Sequence, residues 1–397
     1  MFVGKSLANI RILHELSRSQ LAEELGITEQ AVWQYENGYV SPKLEVVNKM
    51  KHLFHVKAAY FYRNDLLENS PVKDNIQIQH IAYRSDTINS SMKTQSELVH
   101  VKFLDSFIKK IETKIKYPSN LLLSIREEVI AFLNANEQLD RTEQITIAAK
   151  MAREKLGLPK NTNQNLLFYL EKAGAFITEK SIGETIDAYS LWAEDDIPYI
   201  VLGTIRKSAA RRNFDLAHEL GHLLLHYKVE FNTLNKQEYR KMEDEAHLFA
   251  SAFLLPEEEF RNDCLNIAKI SNPDSYIDLK SKWIVSLQAM AMRARNLDVI
   301  THQQFRYFNM SINKKGYRTI EPLDHEIPIE RPMKIQSILQ LLFEKGVFTV
   351  SGLMEELKVE IDFLSRITGI DSPFFERYKK QEQKSFTMNE IRLIKES

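Results

Sequence analysis

The stretch from Phe214 to His226, FDLAHELGHLLLH, constrains the fold more than any other part of this chain. Its apolar residues recur with helical periodicity and predict a buried helix: Leu216, Ala217, Leu220, Leu223 and Leu224. Residue types that cap helix starts, Asn213 and Asp215, stand at its beginning. Because positions i and i+4 of a helix lie on one face, His218 and His222 can bind a single metal ion.

The residue between these histidines suits hydrolytic chemistry. A catalytic zinc site needs a third protein ligand and an open position, where bound water has a pKa of about 7. Glu219 would project beside the metal and could accept the proton of that water as it attacks a carbonyl carbon. Gly221 costs about 1 kcal/mol relative to alanine inside a helix, which fits a second segment or a substrate passing close by.

A third ligand is expected in the run Met242–Pro256, MEDEAHLFASAFLLP, which predicts a second helix ending at its proline. Small and apolar residues recur in it at helical spacing: Ala246, Phe249, Ala250 and Phe253. Glu243 shares a face with the alanines and His247, so we predict Glu243 as ligand and His247 as a neighbour of the ligands. Glu245 is the other candidate, and both glutamates could instead form a solvated face. His226 could hydrogen-bond a ligand, polarise a substrate carbonyl, or simply end its helix.

Residues 1 to 65 are predicted to form five short helices. Within them, SQLAEELGITEQAVWQYENG gives two helices separated by Gly26, the plan of a helix-turn-helix. These 65 residues carry only one net positive charge, whereas a DNA-binding module usually has a stronger basic surface. A protein-interaction or self-association module is therefore the alternative to DNA binding.

The whole chain is predicted to be an α+β protein that is predominantly helical. At 397 residues it has room for two or three domains. We predict a five-helix helix-turn-helix domain at 1–68, a helical connection at 69–160, a zincin-like metallopeptidase domain at 161–300 and a helical region of unknown role at 301–397. Three β-rich stretches would form a small sheet beside the metal helix: Ala175–Thr178, Thr185–Trp192 and Tyr199–Leu202.

Composition excludes several other classes of protein. A hydrophobic fraction of 44% and a charged fraction of 27% are typical of a globular protein. The net charge of −1 means that nucleic-acid affinity must come from a local patch. Cys264 is the only cysteine, which excludes a disulfide within the chain and a cysteine-rich zinc site. Without a signal peptide or a long apolar run, we expect a cytoplasmic protein with no membrane partner.

The residues from Asn163 to Leu297 resemble the ImmA/IrrE family of metallopeptidases. The resemblance is carried by HELGHLLLH, followed by E-x-E-A-x-x-F-A and LLP. It implies one zinc ion per chain, or another divalent metal, held by His218, His222 and Glu243, with Glu219 as general base. His247 departs from the pattern, since the family more often has asparagine or aspartate there.

The segment SQLAEELGITEQAVWQYENG resembles the phage-repressor (Xre-type) DNA-binding family. The resemblance places Thr28, Glu29, Gln30 and Gln34 on the recognition helix and Gln20 at the start of the preceding helix. Glutamine amides can pair with adenine, which would allow base reading. Asn37 and Lys43 are candidate phosphate contacts.

Together these features predict a zinc endopeptidase fused to a DNA-binding domain. The family resemblance implies cleavage of an Xre-type repressor or another partner protein in a stress or mobile-element response, with a homodimer as one expected form. The alternative is a sequence-specific transcriptional regulator whose metal is structural or sensory and which cuts no peptide bond. A toxin or antitoxin component is a third possibility.

Overall fold

A computed structural model describes residues 1–63, 67, 91–116, 120–180, 188–193, 195–204, 208–227, 229 and 234–389. The beginning of the second predicted strand, 185–187, lies outside these ranges. The described chain forms two compact units. The first combines residues 1–63, 91–116 and 334–389, and the second comprises the described residues of 120–333.

Helices account for most of the described chain. The N-terminal region contains α1 (Gly4–Leu13), α2 (Arg18–Leu25), α3 (Glu29–Glu36), α4 (Leu44–Phe54), a 3-10 helix (Ala58–Tyr62) and α5 (Ser91–Glu112). The second unit contains α6 (Leu121–Ala135), α7 (Arg141–Leu156), α8 (Leu166–Lys172), α9 (Ala209–Leu225), α10 (Lys236–Leu254), α11 (Glu257–Leu265), a 3-10 helix (Pro273–Tyr276), α12 (Ile277–Trp283), α13 (Leu287–Asn296) and α14 (His302–Lys315). The C-terminal helices are α15 (Lys334–Glu344), α16 (Val350–Leu357), α17 (Ile361–Thr368) and α18 (Ser372–Asn389).

Capping residues define both ends of α2 and the start of α3. Ser17 and Gln20 form a capping box, in which the Ser17 side chain accepts from the Gln20 amide (3.0 Å) and the Gln20 side chain accepts from the Ser17 amide (2.8 Å). Gly26 ends α2 with φ of 68°, a left-handed conformation that glycine adopts without strain. The Thr28 hydroxyl then accepts from the Ala31 amide (3.2 Å) and begins α3.

A buried carboxylate joins α3 to the two preceding helices. The side chain of Glu36, 2% exposed, accepts from Arg11 Nε at 2.5 Å and from Arg18 Nε at 2.6 Å. Leu21 and Leu25 of α2 and Val32 of α3 are buried apolar residues of the same helices. The first three helices are therefore held together by apolar packing and by the Glu36 ion pairs. Removing the arginines would leave the Glu36 carboxylate buried without a partner, which is strongly destabilising.

Three strands form a small sheet in the second unit: β1 (Phe176–Lys180), β2 (Ala188–Trp192) and β3 (Pro198–Gly203). Their order is β1-β3-β2, with β1 parallel and β2 antiparallel to β3. Within the described residues, β1 and β2 are therefore the edges of the sheet. β2 lies against α9, because Trp192 Nε1 donates to the carbonyl of Leu223 on that helix (2.8 Å).

The helix α9 begins earlier than the sequence analysis predicted. Its first residue is Ala209, and the Ser208 side chain accepts from the Arg211 amide as the N-cap. Asn213 and Asp215 are not caps but buried residues inside the helix. Asn213 Nδ2 instead donates to the carbonyl of Ile284 at 3.3 Å, so this amide serves tertiary packing.

Close packing of α9 and α10 depends on Gly221. A Cβ atom at this position would lie 3.1 Å from Cδ1 of Phe249, tighter than ordinary van der Waals contact. Ala246 and Ala250 are fully buried on α10 and also keep the helices close together. This approach brings the acidic residues of α10 within reach of the histidines of α9.

The architecture is predominantly helical with one small sheet, which confirms the predicted fold class. The predicted five helices of the N-terminal region are present, the fifth as a 3-10 helix. None of the described helices is both long enough and apolar enough to cross a bilayer.

Candidate metal centre

His218 and His222 on α9 converge on Glu243 of α10. Each of the three offers a ligand atom, and these atoms lie within 4.8 Å of one another. The Nε2 atom of His218 is 3.5 Å from Oε2 of Glu243, and the Nε2 atom of His222 is 3.3 Å from Oε1. All three residues are buried. The one-turn spacing on α9 and the close approach of α10 together create this arrangement.

The chemistry of these groups fits a divalent metal ion. Two imidazole nitrogens and one carboxylate are a common ligand set of catalytic zinc. Nε2 of His218 and Oε1 of Glu243 are buried and make no hydrogen bond within the described residues. Burial lowers the pKa of His218, but Glu219 and Glu243 outweigh it and raise the pKa to about 9. Burial raises the pKa of Glu243, but both imidazoles outweigh that effect and hold it far below its usual range. The site therefore favours positive charge beside its carboxylates.

Glu219 lies beside the candidate ligands, and a residue of the sheet hydrogen-bonds to its carboxylate. Its Oε2 accepts from the Ser190 hydroxyl of β2 at 2.8 Å, and its Oε1 lies 3.5 Å from Nδ1 of His218. Glu219 and Ser190 are both buried. Ser190 could not be identified from the sequence, because a lone serine in a β-rich stretch carries no signal of its own.

A hydrogen-bonded chain leads from His222 away from the candidate metal position. Nδ1 of His222 lies 3.0 Å from Nδ1 of His226, and Nε2 of His226 lies 3.2 Å from Oε2 of Glu245. Arg141 of α7 donates to the same Glu245 oxygen at 2.6 Å. If His222 binds a metal ion through Nε2, the proton of its ring is on Nδ1. His222 Nδ1 then donates a hydrogen bond to Nδ1 of His226, and Nε2 of His226 donates one to Glu245.

The charge state of His226 agrees with this role. Burial lowers the pKa of His226 to about 4, against the opposing effect of Glu245. A neutral imidazole can accept at one nitrogen and donate at the other. Of the roles that the sequence left open for His226, the geometry supports hydrogen bonding to a candidate ligand.

Comparison with protein families matches two parts of the chain. Residues 170–295 match the family model described as the IrrE N-terminal-like domain, Peptidase_M78, and residues 7–61 match a helix-turn-helix model. The chain therefore joins an IrrE-like peptidase domain to a helix-turn-helix domain. Both predicted resemblances are confirmed. A search of curated proteins found no match.

His247 of the IrrE-like domain lies next to His218, one of the candidate ligands. Its ring centroid is 4.7 Å from that of His218 and 5.8 Å from that of Phe214, against which it stacks. His247 is half-buried, and it lines a cavity of about 610 Å³ together with Phe214, Met292 and Arg318. His247 therefore packs against the ring of a candidate ligand and faces a space next to the site.

The helix-turn-helix domain presents the predicted DNA-contacting residues at its surface. Gln34 is partly exposed. The other six are exposed: Gln20, Thr28, Glu29, Gln30, Asn37 and Lys43. Gln20 and Thr28 also serve as helix caps, and Asn37 Nδ2 donates to the carbonyl of Trp33 at 2.8 Å. Gln20, Thr28 and Asn37 therefore also have structural roles within the domain.

Proposed function

We propose that this chain is a zinc-dependent endopeptidase with a DNA-binding regulatory domain. The observation that carries the proposal is the convergence of His218, His222 and Glu243, with the carboxylate of Glu219 beside them. Such a set would hold one zinc ion through two imidazoles and a carboxylate. A zinc ion bound there would polarise a substrate carbonyl and lower the pKa of coordinated water to about 7.

In the proposed mechanism, Glu219 moves the protons. It accepts the proton of the attacking water and later passes it to the leaving amine of the cleaved peptide. The Ser190 hydroxyl engages Oε2, so Oε1 is the oxygen left to carry the proton. His226 and Glu245 keep the His222 ring in the tautomer that offers Nε2 to the metal.

The strand β2 supports a binding mode for an extended substrate. It is an edge of the described sheet, lies against α9 and carries Ser190 next to Glu219. A substrate segment added alongside β2 by main-chain hydrogen bonds would pass directly over the site. Side chains of such a segment could enter the cavity that His247 lines.

We propose that the substrate is an Xre-type repressor, cut in a stress or mobile-element response. This choice rests on the family resemblance and on the helix-turn-helix domain of the same class within the chain. The exposed start of α3, with Gln30 and Gln34, would bind DNA and so bring the peptidase near a DNA-bound repressor.

The decisive experiment compares the wild-type chain with Glu219→Gln on a panel of purified Xre-type repressors and on a peptide library, with products identified by mass spectrometry. We expect the variant to retain zinc and to cleave about 10²–10⁴-fold more slowly than the wild type, because a general base usually contributes that much to the rate. Glu258→Gln, an exposed carboxylate on α11, is the matched control and should cleave normally. Cleavage that persists in Glu219→Gln would refute the mechanism.

One observation favours the alternative of a DNA-binding regulator without protease activity. His218, Glu219 and His222 are at most 4% exposed within the described residues, as is common for a structural metal site. That alternative is distinguished by sequence-selective DNA binding that responds to zinc, with no product from any repressor or peptide.

A further inference from the structure

The C-terminal helices repeat the geometry of the N-terminal helix-turn-helix. The helices α2 and α16 are each eight residues long, as are α3 and α17. Three residues separate the helices in both pairs, 26–28 in the first and 358–360 in the second. The two pairs therefore align residue by residue in sequence, without a gap.

The same capping devices stand at equivalent positions. Ser17 begins α2 and Thr349 begins α16, and each side chain accepts a hydrogen bond from the amide three residues later, at 3.0 Å and 2.9 Å. Gly26 and Lys358 end the two helices in the left-handed conformation, with φ of 68° and 59°. A left-handed lysine is uncommon, which indicates that the turn geometry has been kept although the glycine is absent.

The buried positions also coincide. The letters SQLAEELGI in the first pair stand against SGLMEELKV in the second. Equivalent core residues, with the preceding helices α1 and α15 included, are buried in both repeats: Leu7 and Leu339, Ile10 and Leu342, Leu21 and Leu353, Leu25 and Leu357, Val32 and Leu364. The two helix pairs therefore agree in helix length, in capping residues and in the positions of their buried residues. Two unrelated helix pairs are not expected to agree in all three.

We infer that residues 334–378 form a second helix-turn-helix, the C-terminal repeat, and that its turn and its recognition-helix position bind protein in place of DNA, namely residues 55–60 and α5 of the same chain. The family model matched only the N-terminal repeat, residues 7–61.

The turn of the C-terminal repeat pairs with the N-terminal domain through its backbone. Val56 and Val359 form an antiparallel bridge, and both are fully buried. The Lys57 amide donates to the carbonyl of Lys358 at 2.8 Å, and the Glu360 amide donates to the carbonyl of His55 at 2.9 Å. The turn is therefore engaged by the segment that follows α4.

The recognition-helix position, α17, contributes side chains to the same contact. Phe363, which stands where the N-terminal repeat has Ala31, is buried, with its ring centroid 6.2 Å from that of Tyr60 and 5.4 Å from that of Phe103. Asp362 Oδ2 lies 3.0 Å from Nδ1 of His55. Phe363 thus gives α17 aromatic contacts that the small side chain of Ala31 cannot make from α3.

Charge also argues against DNA reading by α17. Where the N-terminal repeat has Thr28 and Gln30, the C-terminal repeat has Glu360 and Asp362, whose carboxylates repel phosphate groups. The preceding helix α16 places Glu355 2.5 Å from Lys57, so another carboxylate of this repeat pairs with a basic residue of the N-terminal domain. Two of the three positions that would face DNA are thus acidic, and the third, Arg366 in place of Gln34, is basic. The carboxylates of Asp362 and Glu355 lie beside His55 and Lys57 of the N-terminal domain.

A designed disulfide tests the contact in the full-length protein. Val56→Cys combined with Val359→Cys places two thiols on a directly opposed, non-hydrogen-bonded antiparallel pair, whose Cα atoms are about 4.5 Å apart, within disulfide range. We expect near-complete oxidation to an intramolecular disulfide, seen as a mass loss of about two hydrogens and a faster-migrating monomer on a non-reducing gel. Val56→Cys combined with Glu360→Cys is the control and should oxidise poorly, because Glu360 is extended and successive side chains of an extended segment point to opposite sides.

The native cysteine does not interfere with this measurement. Cys264 is buried, and burial raises its pKa to about 12, so its thiolate is scarce at the pH of oxidation. Failure of the Val56–Val359 pair to oxidise, equal oxidation in the control, or disulfides only between chains would overturn the docking.

A DNA-selection experiment tests the second half of the inference. Full-length protein and two double variants, Gln30→Ala with Gln34→Ala and Asp362→Ala with Arg366→Ala, are used to select sequences from random DNA. We expect the first variant to lose the selected sequence and the second to keep it. A selected sequence that loses one part when Asp362 and Arg366 change would show that α17 reads DNA. If the wild type selects no DNA, the proposed DNA binding fails, whereas the protein-docking role is still decided by the disulfide.

Discussion

Two glutamates of α10, only two positions apart, have different surroundings at the residue scale. Glu243 faces both imidazoles of the candidate metal site, at 3.5 Å and 3.3 Å. Burial alone would raise the pKa of Glu245, but hydrogen bonds from His226 and Arg141 lower it to about 2. Glu245 is thus a carboxylate committed to a chain of hydrogen bonds that ends on His222.

This difference gives opposite expectations for two conservative substitutions. Glu243→Gln should abolish stoichiometric zinc binding, because the amide is a far weaker ligand than the carboxylate. Glu245→Gln should keep one zinc ion per chain, with affinity reduced by less than the roughly 10–100-fold that follows loss of a direct partner of a ligand, because Glu245 reaches His222 only through His226. Zinc content after dialysis against a competing chelator, measured by elemental analysis, separates the two.

Glu238→Gln is a suitable control, since Glu238 caps the start of α10 away from the histidines. An empty site in Glu245→Gln together with a full one in Glu243→Gln would reverse the assignment of the third ligand.

Removal of the Ser190 hydroxyl should affect catalysis without affecting metal binding. Ser190→Ala leaves Oε2 of Glu219 without its 2.8 Å hydrogen bond. The loss of a hydrogen bond to a charged group costs about 1.5–3 kcal/mol, so kcat should fall by about ten-fold or more. Steady-state kinetics on a cleaved peptide, beside zinc content, provides the measurement.

In that experiment KM and zinc content should stay near the wild-type values. A reduced zinc content would instead mean that Ser190 supports the fold of the site, and an unchanged kcat would exclude it from positioning Glu219.

At this scale, the sequence predicted what depends on local spacing and missed what depends on distant pairing. The positions of His218 and His222 follow from one helical turn, and the shared face of α10 selected Glu243. Ser190 and Arg141 reach the site from β2 and α7, at separations of 29 residues from Glu219 and 104 from Glu245. No local pattern marks such partners.

At the scale of elements, the packing of α9 on α10 determines whether the site forms. Gly221→Leu should destabilise the IrrE-like domain, because even the Cβ of the new side chain would lie 3.1 Å from the Phe249 ring, which must move aside. Overpacking of this kind costs about 1–3 kcal/mol. Chemical denaturation of the wild type and the variant measures the change in the free energy of unfolding.

The combination Gly221→Leu with Phe249→Ala should recover part of that loss, since the smaller residue makes room for leucine. Both sites are in direct contact, so non-additive free energies are expected. Additive losses in the double variant would show that the two positions do not share one packing space.

The element boundaries show why some predictions succeeded. The predicted strand Tyr199–Leu202 agrees with β3 to within one residue at each end, because a short apolar run beside a turn residue is a strong strand signal. The start of α9 was wrong, because Asn213 looks like a cap but is buried in contact with a distant carbonyl. Which strands are edges depends on pairing between strands, and sequence alone contains no such information.

At the scale of the whole molecule, the chain does not fold as a simple succession of segments. The helices after residue 334 belong to the same compact unit as the helix-turn-helix, although the entire IrrE-like domain lies between them in sequence. The boundaries predicted at residues 68, 160 and 300 remain a prediction. Periodicity could identify each C-terminal helix, but not its partner some 300 residues away, because apolar stripes do not specify what covers them.

This organisation predicts that zinc stabilises one unit and not the other. All three candidate ligands lie in the unit that spans 120–333, so zinc at 100 times its Kd should raise that unit's free energy of unfolding by about 2.7 kcal/mol. Hydrogen exchange, followed by mass spectrometry under mild denaturant with zinc or with chelator, should show slower exchange in α9 and α10 and no change in α2 and α3. Glu243→Gln is the control, in which zinc should leave exchange unchanged everywhere. Equal protection of α2 and α3 by zinc in the wild type would mean that the metal acts on both units together, and that the helix-turn-helix responds to the state of the peptidase site.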